Sequence, residues 1–159
     1  GKNGYFAIVS AVSKYGHLYR TLHETGEAVI NFMSADLYDK CMSTCKNNGF
    51  EIDEIKTVGL TSVKAEKVNA PLIDECFMNL ECRFKWEKEI AEGDDYVLVC
   101  LEIVNVHIDE NHIDENNLGR TGETGILYNI HHPINPESFK GTAHDYVGTV
   151  KKIRDYREY

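Results

Sequence analysis

Met78-Asn79-Leu80-Glu81-Cys82-Arg83-Phe84-Lys85-Trp86-Glu87 is the stretch that decides the fold. Apolar residues alternate with polar ones, the period of two imposed by a strand with one core face and one wet face. This reading directs Met78, Leu80, Cys82, Phe84 and Trp86 to the core. Glu92-Gly93-Asp94-Asp95 follows with the residues of a tight turn. The return run, Tyr96 to Ile108, opens as unbroken apolar Tyr96-Val97-Leu98-Val99-Cys100-Leu101. It then alternates, with Glu102, Val104, Val106 and Ile108 set against Ile103, Asn105 and His107. Such a change implies deeper burial at the start of the strand, or a bulge near Cys100-Leu101.

Upstream, Tyr5 to Val12 reads as another strand, and Ser13-Lys14-Tyr15-Gly16 as a turn. A short helix fits His17 to Glu24, with Leu18 and Leu22 on one face and Gly26 as its stop. Glu27 to Met33 is a further strand. Ser34 and Asp36 suit the start of a helix that carries Leu37, Cys41 and Cys45 along one face and ends at Asn48-Gly49. A second short helix spans Ile52 to Val58 and stops at Gly59. Strands joined by hairpins and interrupted by short helices predict a mostly β, small antiparallel barrel with helical insertions. The helices do not follow each strand in turn, which argues against a parallel doubly wound sheet.

From Asp109 the chain turns polar, and His107-Ile108-Asp109-Glu110-Asn111 is repeated at once as residues 112–116. A five-residue duplication carries no architecture. The tail from Ile126 regains apolar character around a loop marked by Pro133 and Pro136, and its last segment, Tyr146 to Tyr159, is amphipathic. That segment is expected to pack on the barrel or on a partner. The chain of 159 residues is read as a single domain 1–159, with a barrel core over about 5–110 and a C-terminal extension over about 111–159.

At 42% hydrophobic and 27% charged residues, the composition is that of an ordinary globular protein. No run approaches the ~20 apolar residues of a membrane helix, and no apolar segment with a cleavage site follows Gly1-Lys2-Asn3-Gly4. The expected location is the cytoplasm. A formal net charge of -9 argues against nucleic acid, which is bound by neutralising phosphates. An anionic small molecule would need a locally positive site. Five cysteines without zinc-ribbon spacing read as buried, reduced thiols.

Several candidate sites give way to simpler readings. The His-Ile-Asp-Glu-Asn repeat places Ile113 where a calcium loop needs oxygen, and reads as a solvated acidic loop. Adjacent His131 and His132 point to opposite faces of a strand, leaving His144 as their only nearby companion for a metal. No Gly-x-Ser-x-Gly elbow, Walker loop or Gly-x-Gly-x-x-Gly fingerprint is present. Ser10 to Tyr19 is different: a strand end, two hydroxyls, a lysine and a histidine lead into the first turn of a helix. Hydroxyls, a cation and free N–H groups at a helix N-terminus compose a phosphate site.

Leu22-His23-Glu24-Thr25-Gly26-Glu27-Ala28-Val29-Ile30-Asn31 is similar to the helix–Thr-Gly-Glu–strand–Asn signature of flavin reductase-like, FMN-binding split-barrel proteins. Val58-Gly59-Leu60-Thr61, Val68-Asn69-Ala70-Pro71-Leu72-Ile73, Leu80-Glu81-Cys82, the Gly93-Asp94 turn and Glu102 to Asp109 resemble the family in order and spacing. The resemblance covers about Tyr5 to Glu110. It implies an antiparallel split β-barrel that dimerises, with FMN near the subunit interface and electrons passing from NADH or NADPH to a flavin or an acceptor. Ser10 to Tyr19 then corresponds to the FMN phosphate loop, and cofactor contacts are expected at Ser10, Ser13, Lys14, Tyr15, His17, Asn31 and Tyr96. No side chain is assigned a catalytic role.

The departures from the pattern are specific. Leu18 stands where the family expects a Thr, and Ser13 where a basic residue is common. Asp95 or Tyr96 replaces the histidine often found after Gly-Asp, and one extra residue precedes Glu102. The family's first strands, which lie before Tyr5, are missing, so the barrel is expected to be N-terminally incomplete. These departures motivate the alternative of a non-catalytic FMN carrier, or of a degenerate, cofactor-free split-barrel dimer.

Overall fold

The computed structural model describes residues 4–45, 49–113, 126–131 and 146–150. Strand β1 spans Tyr5–Ser13, helix α1 His17–Thr25, strand β2 Glu27–Phe32, helix α2 Tyr38–Thr44 and helix α3 Glu54–Thr57. Two short strands, β3 (Ser62–Val63) and β4 (Leu72–Ile73), precede the long pair β5 (Met78–Glu89) and β6 (Tyr96–Ile108). Strands β7 (Ile126–His131) and β8 (Tyr146–Val150) form an antiparallel pair, so the amphipathic final segment opens as a strand.

The β5–β6 hairpin organises the sheet, whose order is β1-β6-β5-β2 with antiparallel neighbours throughout. Gly93 takes φ 76° in the connecting turn, a left-handed conformation that a side chain would strain. Two irregularities interrupt the hairpin. Glu81 pairs with Asn105 and Cys82 with Ile103, which leaves Val104 as an extra residue in β6. Phe84 pairs with Leu101 and Trp86 with Cys100, which leaves Lys85 extra in β5. A bulge therefore lies opposite Cys100-Leu101 as the phase change implied, but its added residue is on the facing strand.

One face of the sheet is closed by α1. Leu22 packs there with Val12, Ala28, Cys82, Val97, Val99 and Leu101, while Leu80, Phe84 and Tyr19 border the cluster. Burying side chains such as Val97 and Val99 stabilises the fold by about 1.5–3 kcal/mol each. The other face is covered too: Ala65, Val68 and Leu72 pack against Val29 and Val104. A third cluster joins Leu37, Leu60 and Cys76.

The double cover and the Lys85 bulge correct two expectations for β5, the exposure of its first polar residues and the phase of its end. Asn79 and Glu81, placed by alternation on the wet face, are buried, Glu81 beneath the Glu66 to Val68 backbone that donates to its carboxylate. Trp86, placed in the core, is 48% exposed. The Lys85 bulge explains the second difference, because one added residue flips every later side chain to the opposite face. Glu87 accordingly faces α1, where Tyr19 Oη donates to its carboxylate at 3.0 Å and His23 Nε2 lies at 2.8 Å.

Candidate functional site

At the end of β1 the ladder breaks. Val9 pairs with Val99 and Val12 with Val97, so Ser10 and Ala11 together face Leu98 alone. Ala11 adopts φ 56°, the left-handed region that costs a non-glycine residue about 1 kcal/mol or more. The chain then turns through Ser13, whose carbonyl accepts from Gly16 N–H at 3.1 Å and whose Oγ accepts from Tyr15 N–H at 3.3 Å. Gly16 is the N-cap of α1 and supplies no capping side chain, so the first-turn amides have no side-chain acceptor.

These features border a cleft of about 510 Å³. Ser10, Ser13, Tyr15 and His17 line it, joined by Leu18 and by Thr44, Cys45 and Glu54 from α2 and α3. Gly16 itself lines the cleft beside the helix start. His17 is held on two sides: its Nδ1 lies 3.8 Å from Glu54 Oε1, and its ring stacks on Phe50 with centroids 4.6 Å apart. Arg20 covers the same Phe50 ring at 4.1 Å. The donor set suits a phosphate: two hydroxyls, an imidazole and the positive end of a helix. Glu54 works against an anion, and it shares the cleft lining with His17.

Lys14 does not line this cleft. Its ammonium donates to Glu89 Oε1 at 2.5 Å and to the Asp94 carbonyl at 2.6 Å, tying the loop to the β5–β6 hairpin. The bond to Glu89 holds the Lys14 pKa above its ordinary value and that of Glu89 below. Lys14 instead borders a neighbouring hollow with Tyr19, Arg20 and Phe50. Tyr96 pairs with Ser13 across the strands, next to the cleft but outside its lining. Asn31 is remote from it, since its Oδ1 accepts from Ile73 N–H at 3.0 Å and its role is to fasten β4 to β2. The structure thus gathers Ser10, Ser13, Tyr15 and His17, sets Lys14 and Tyr96 at the margin, and leaves Asn31 elsewhere.

Thr44, Cys45 and Glu54 were not legible as cleft residues, because nothing local in the sequence brings the ends of α2 and α3 to the loop. All five cysteines are free, with Cys76, Cys82 and Cys100 buried and Cys45 exposed. Burial pushes the Cys76 thiol up to about 12 and that of Cys82 to about 11, which leaves both protonated. Among the described residues no three His, Cys, Asp or Glu side chains converge on a metal position. The pairing of His131 with His132 and His144 lies outside the described residues. No helix among them is long and apolar enough to cross a membrane.

The flavin reductase like domain model matches residues 6–131, and the chain belongs to that flavin-binding family. A protein of Methanothermobacter thermautotrophicus is 29% identical over 106 residues, 65% of this chain and 50% of the relative. One of Archaeoglobus fulgidus is 33% identical over 94 residues, covering 59% of this chain and 50% of its own. The chain therefore spans about half the length of the curated relatives it matches. Among solved structures, flavoredoxin of Desulfovibrio vulgaris superimposes with a TM-score of 0.77 at 20% identity, over 98% of this chain and 75% of that one. The FMN-binding protein from Thermus thermophilus does so with 0.63 at 16% identity, over 77% and 64%. The fold is thus the antiparallel split barrel of the flavin reductases, mostly β with few helices.

Proposed function

We propose that this chain binds FMN and serves as a flavin-dependent oxidoreductase domain, taking electrons from NADH or NADPH. The observation that carries the reading is the cleft where Ser10, Ser13 and His17 meet the uncapped N-terminus of α1, in a flavin reductase-like domain. The phosphate would sit on those groups, each charge-assisted hydrogen bond contributing about 1.5–3 kcal/mol. A bound flavin supplies the two-electron chemistry. The chain's task is to fix its phosphate and orient its ring system. Lys14 is assigned a positioning role, holding the loop against the hairpin through Glu89 and Asp94.

The test is spectroscopic. Protein reconstituted with FMN should be yellow and bleach when NADH or NADPH is added without oxygen. A yellow protein indifferent to both nucleotides would make it a flavin carrier. That second reading draws on Glu54, a carboxylate facing the phosphate position, and on Leu18, which is 51% exposed at the helix start.

A further inference from the structure

Helix α2 carries two cysteines one turn apart, in different surroundings. Cys41 is half-buried and packs against the cluster of Leu37, Leu60 and Cys76. Cys45 is exposed and lines the proposed phosphate cleft. Its thiol turns back along the helix, donating to the Cys41 carbonyl at 3.8 Å. Residues four apart in a helix have Cα atoms about 6 Å apart, within the span of a disulfide. Their Cβ atoms lie about 5–6 Å apart against the roughly 3.5–4.5 Å that the bond needs, so closure asks about 1 Å of movement from one partner. Cys45 can supply it. The helix ends at Thr44, and Cys45 is its C-cap, with its N–H on the Met42 carbonyl at 3.3 Å in a tightened last turn.

The two thiols have different parts to play. Burial pushes the Cys41 thiol up, and Cys45 adds to the effect. Cys45 is therefore the thiol that a reagent reaches first, and Cys41 is the one that can follow, because it is tethered one turn away. We propose that Cys41 and Cys45 form a redox-active dithiol on the wall of the cleft, which exchanges with low-molecular-weight disulfides to close a Cys41–Cys45 bond. The Cys45 thiolate attacks one sulfur of the small disulfide, whose S–S bond breaks to release one thiolate. The Cys41 thiol gives its proton to solvent and attacks the Cys45 sulfur, expelling the second thiolate. The cysteine pair is oxidised by two electrons, the small disulfide is reduced to two thiols, and the two protons released end on them. Cys76, Cys82 and Cys100 are buried and take no part.

The probe is 2-hydroxyethyl disulfide, neutral so that a net charge of -9 does not repel it. The whole folded chain is exposed to it, quenched in acid, unfolded, alkylated and cut with trypsin. Cleavage after Lys40 and Lys46 places both cysteines in one peptide, residues 41–46, while Cys76 falls in another. Peptide 41–46 should be recovered unalkylated and two hydrogens lighter than its dithiol form, and excess reductant added before alkylation should restore the dithiol. Cys41→Ser should stop the reaction at a persistent mixed disulfide on Cys45. Cys45→Ser, at an exposed position that leaves the fold intact, should slow oxidation of Cys41 at least tenfold. Four results would overturn the inference: Cys45 left unreacted, a mixed disulfide that persists in wild type, Cys41 joined to Cys76 instead, or a wild-type rate of Cys41 oxidation in Cys45→Ser. None of these readouts involves flavin, so the outcome is independent of the function proposed above.

Discussion

Glu81 is the residue on which the second face of the sheet depends, and strand alternation hides it. In Leu80-Glu81-Cys82 it has the same sequence surroundings as any solvent-facing glutamate, yet it is fully buried. Burial alone would raise its pKa, but hydrogen bonds from His107, Lys67, Asn105 and Glu66 outweigh it and hold the carboxyl at about 2. Its stabilising contribution is therefore complete above the ordinary carboxylate value near 4.5 and fades as pH falls toward 2. Integrated over that interval the linkage is worth about 3 kcal/mol. Glu81→Gln should lose an amount of that order at neutral pH, and the wild-type advantage should shrink in acid. Urea titrations at pH 7, 4 and 2.5 would reveal it, and a pH-independent difference would contradict the role given to the charge. Lys14 is a second case where residue type misled. A lysine beside two serines reads as a phosphate ligand, but Glu89 and Asp94 lie 75 and 80 residues away in sequence and claim it first. Lys14→Ala should consequently reduce FMN affinity no more than severalfold.

Elements were more legible than their faces. The hydrophobic period, the Gly26 stop of α1 and the Glu92 to Asp95 turn rest on local physics, and each appears in the structure. Bulges do not, because the inserted residue is defined only by what it faces. The Lys85 bulge reverses the end of β5, so truncations along that strand should differ in effect. Phe84→Ala, at a partly buried position against Leu101 and Val99, should cost about 2 kcal/mol, below the 3–5 kcal/mol of a fully buried Phe. Trp86→Ala should cost under about 1 kcal/mol. Equal losses in denaturant midpoints would mean that the phase reversal is absent. The bulge at Ser10 and Ala11 carries the strain of the proposed site. Ala11→Gly, which relieves a left-handed backbone, should be neutral or stabilise by up to about 1 kcal/mol.

At the scale of the molecule, β1 is an edge strand with Tyr5, Phe6 and Ile8 all about half exposed or more. An apolar edge of this kind invites a partner strand or cover. A homodimer is the expected state at micromolar concentration, measured by sedimentation velocity, and a monomer there would count against it. The ordered series of motifs made the fold readable from sequence, whereas the cleft needed the ends of α2 and α3, which only tertiary packing delivers. The central claim is that the Ser10 to His17 loop holds the FMN phosphate. Quenching of flavin fluorescence, titrated with FMN and riboflavin in wild type and Ser13→Ala, tests it most directly. The account predicts that FMN binds at least tenfold more tightly than riboflavin and that Ser13→Ala removes most of this preference. Equal affinity for the two flavins in wild type would contradict it.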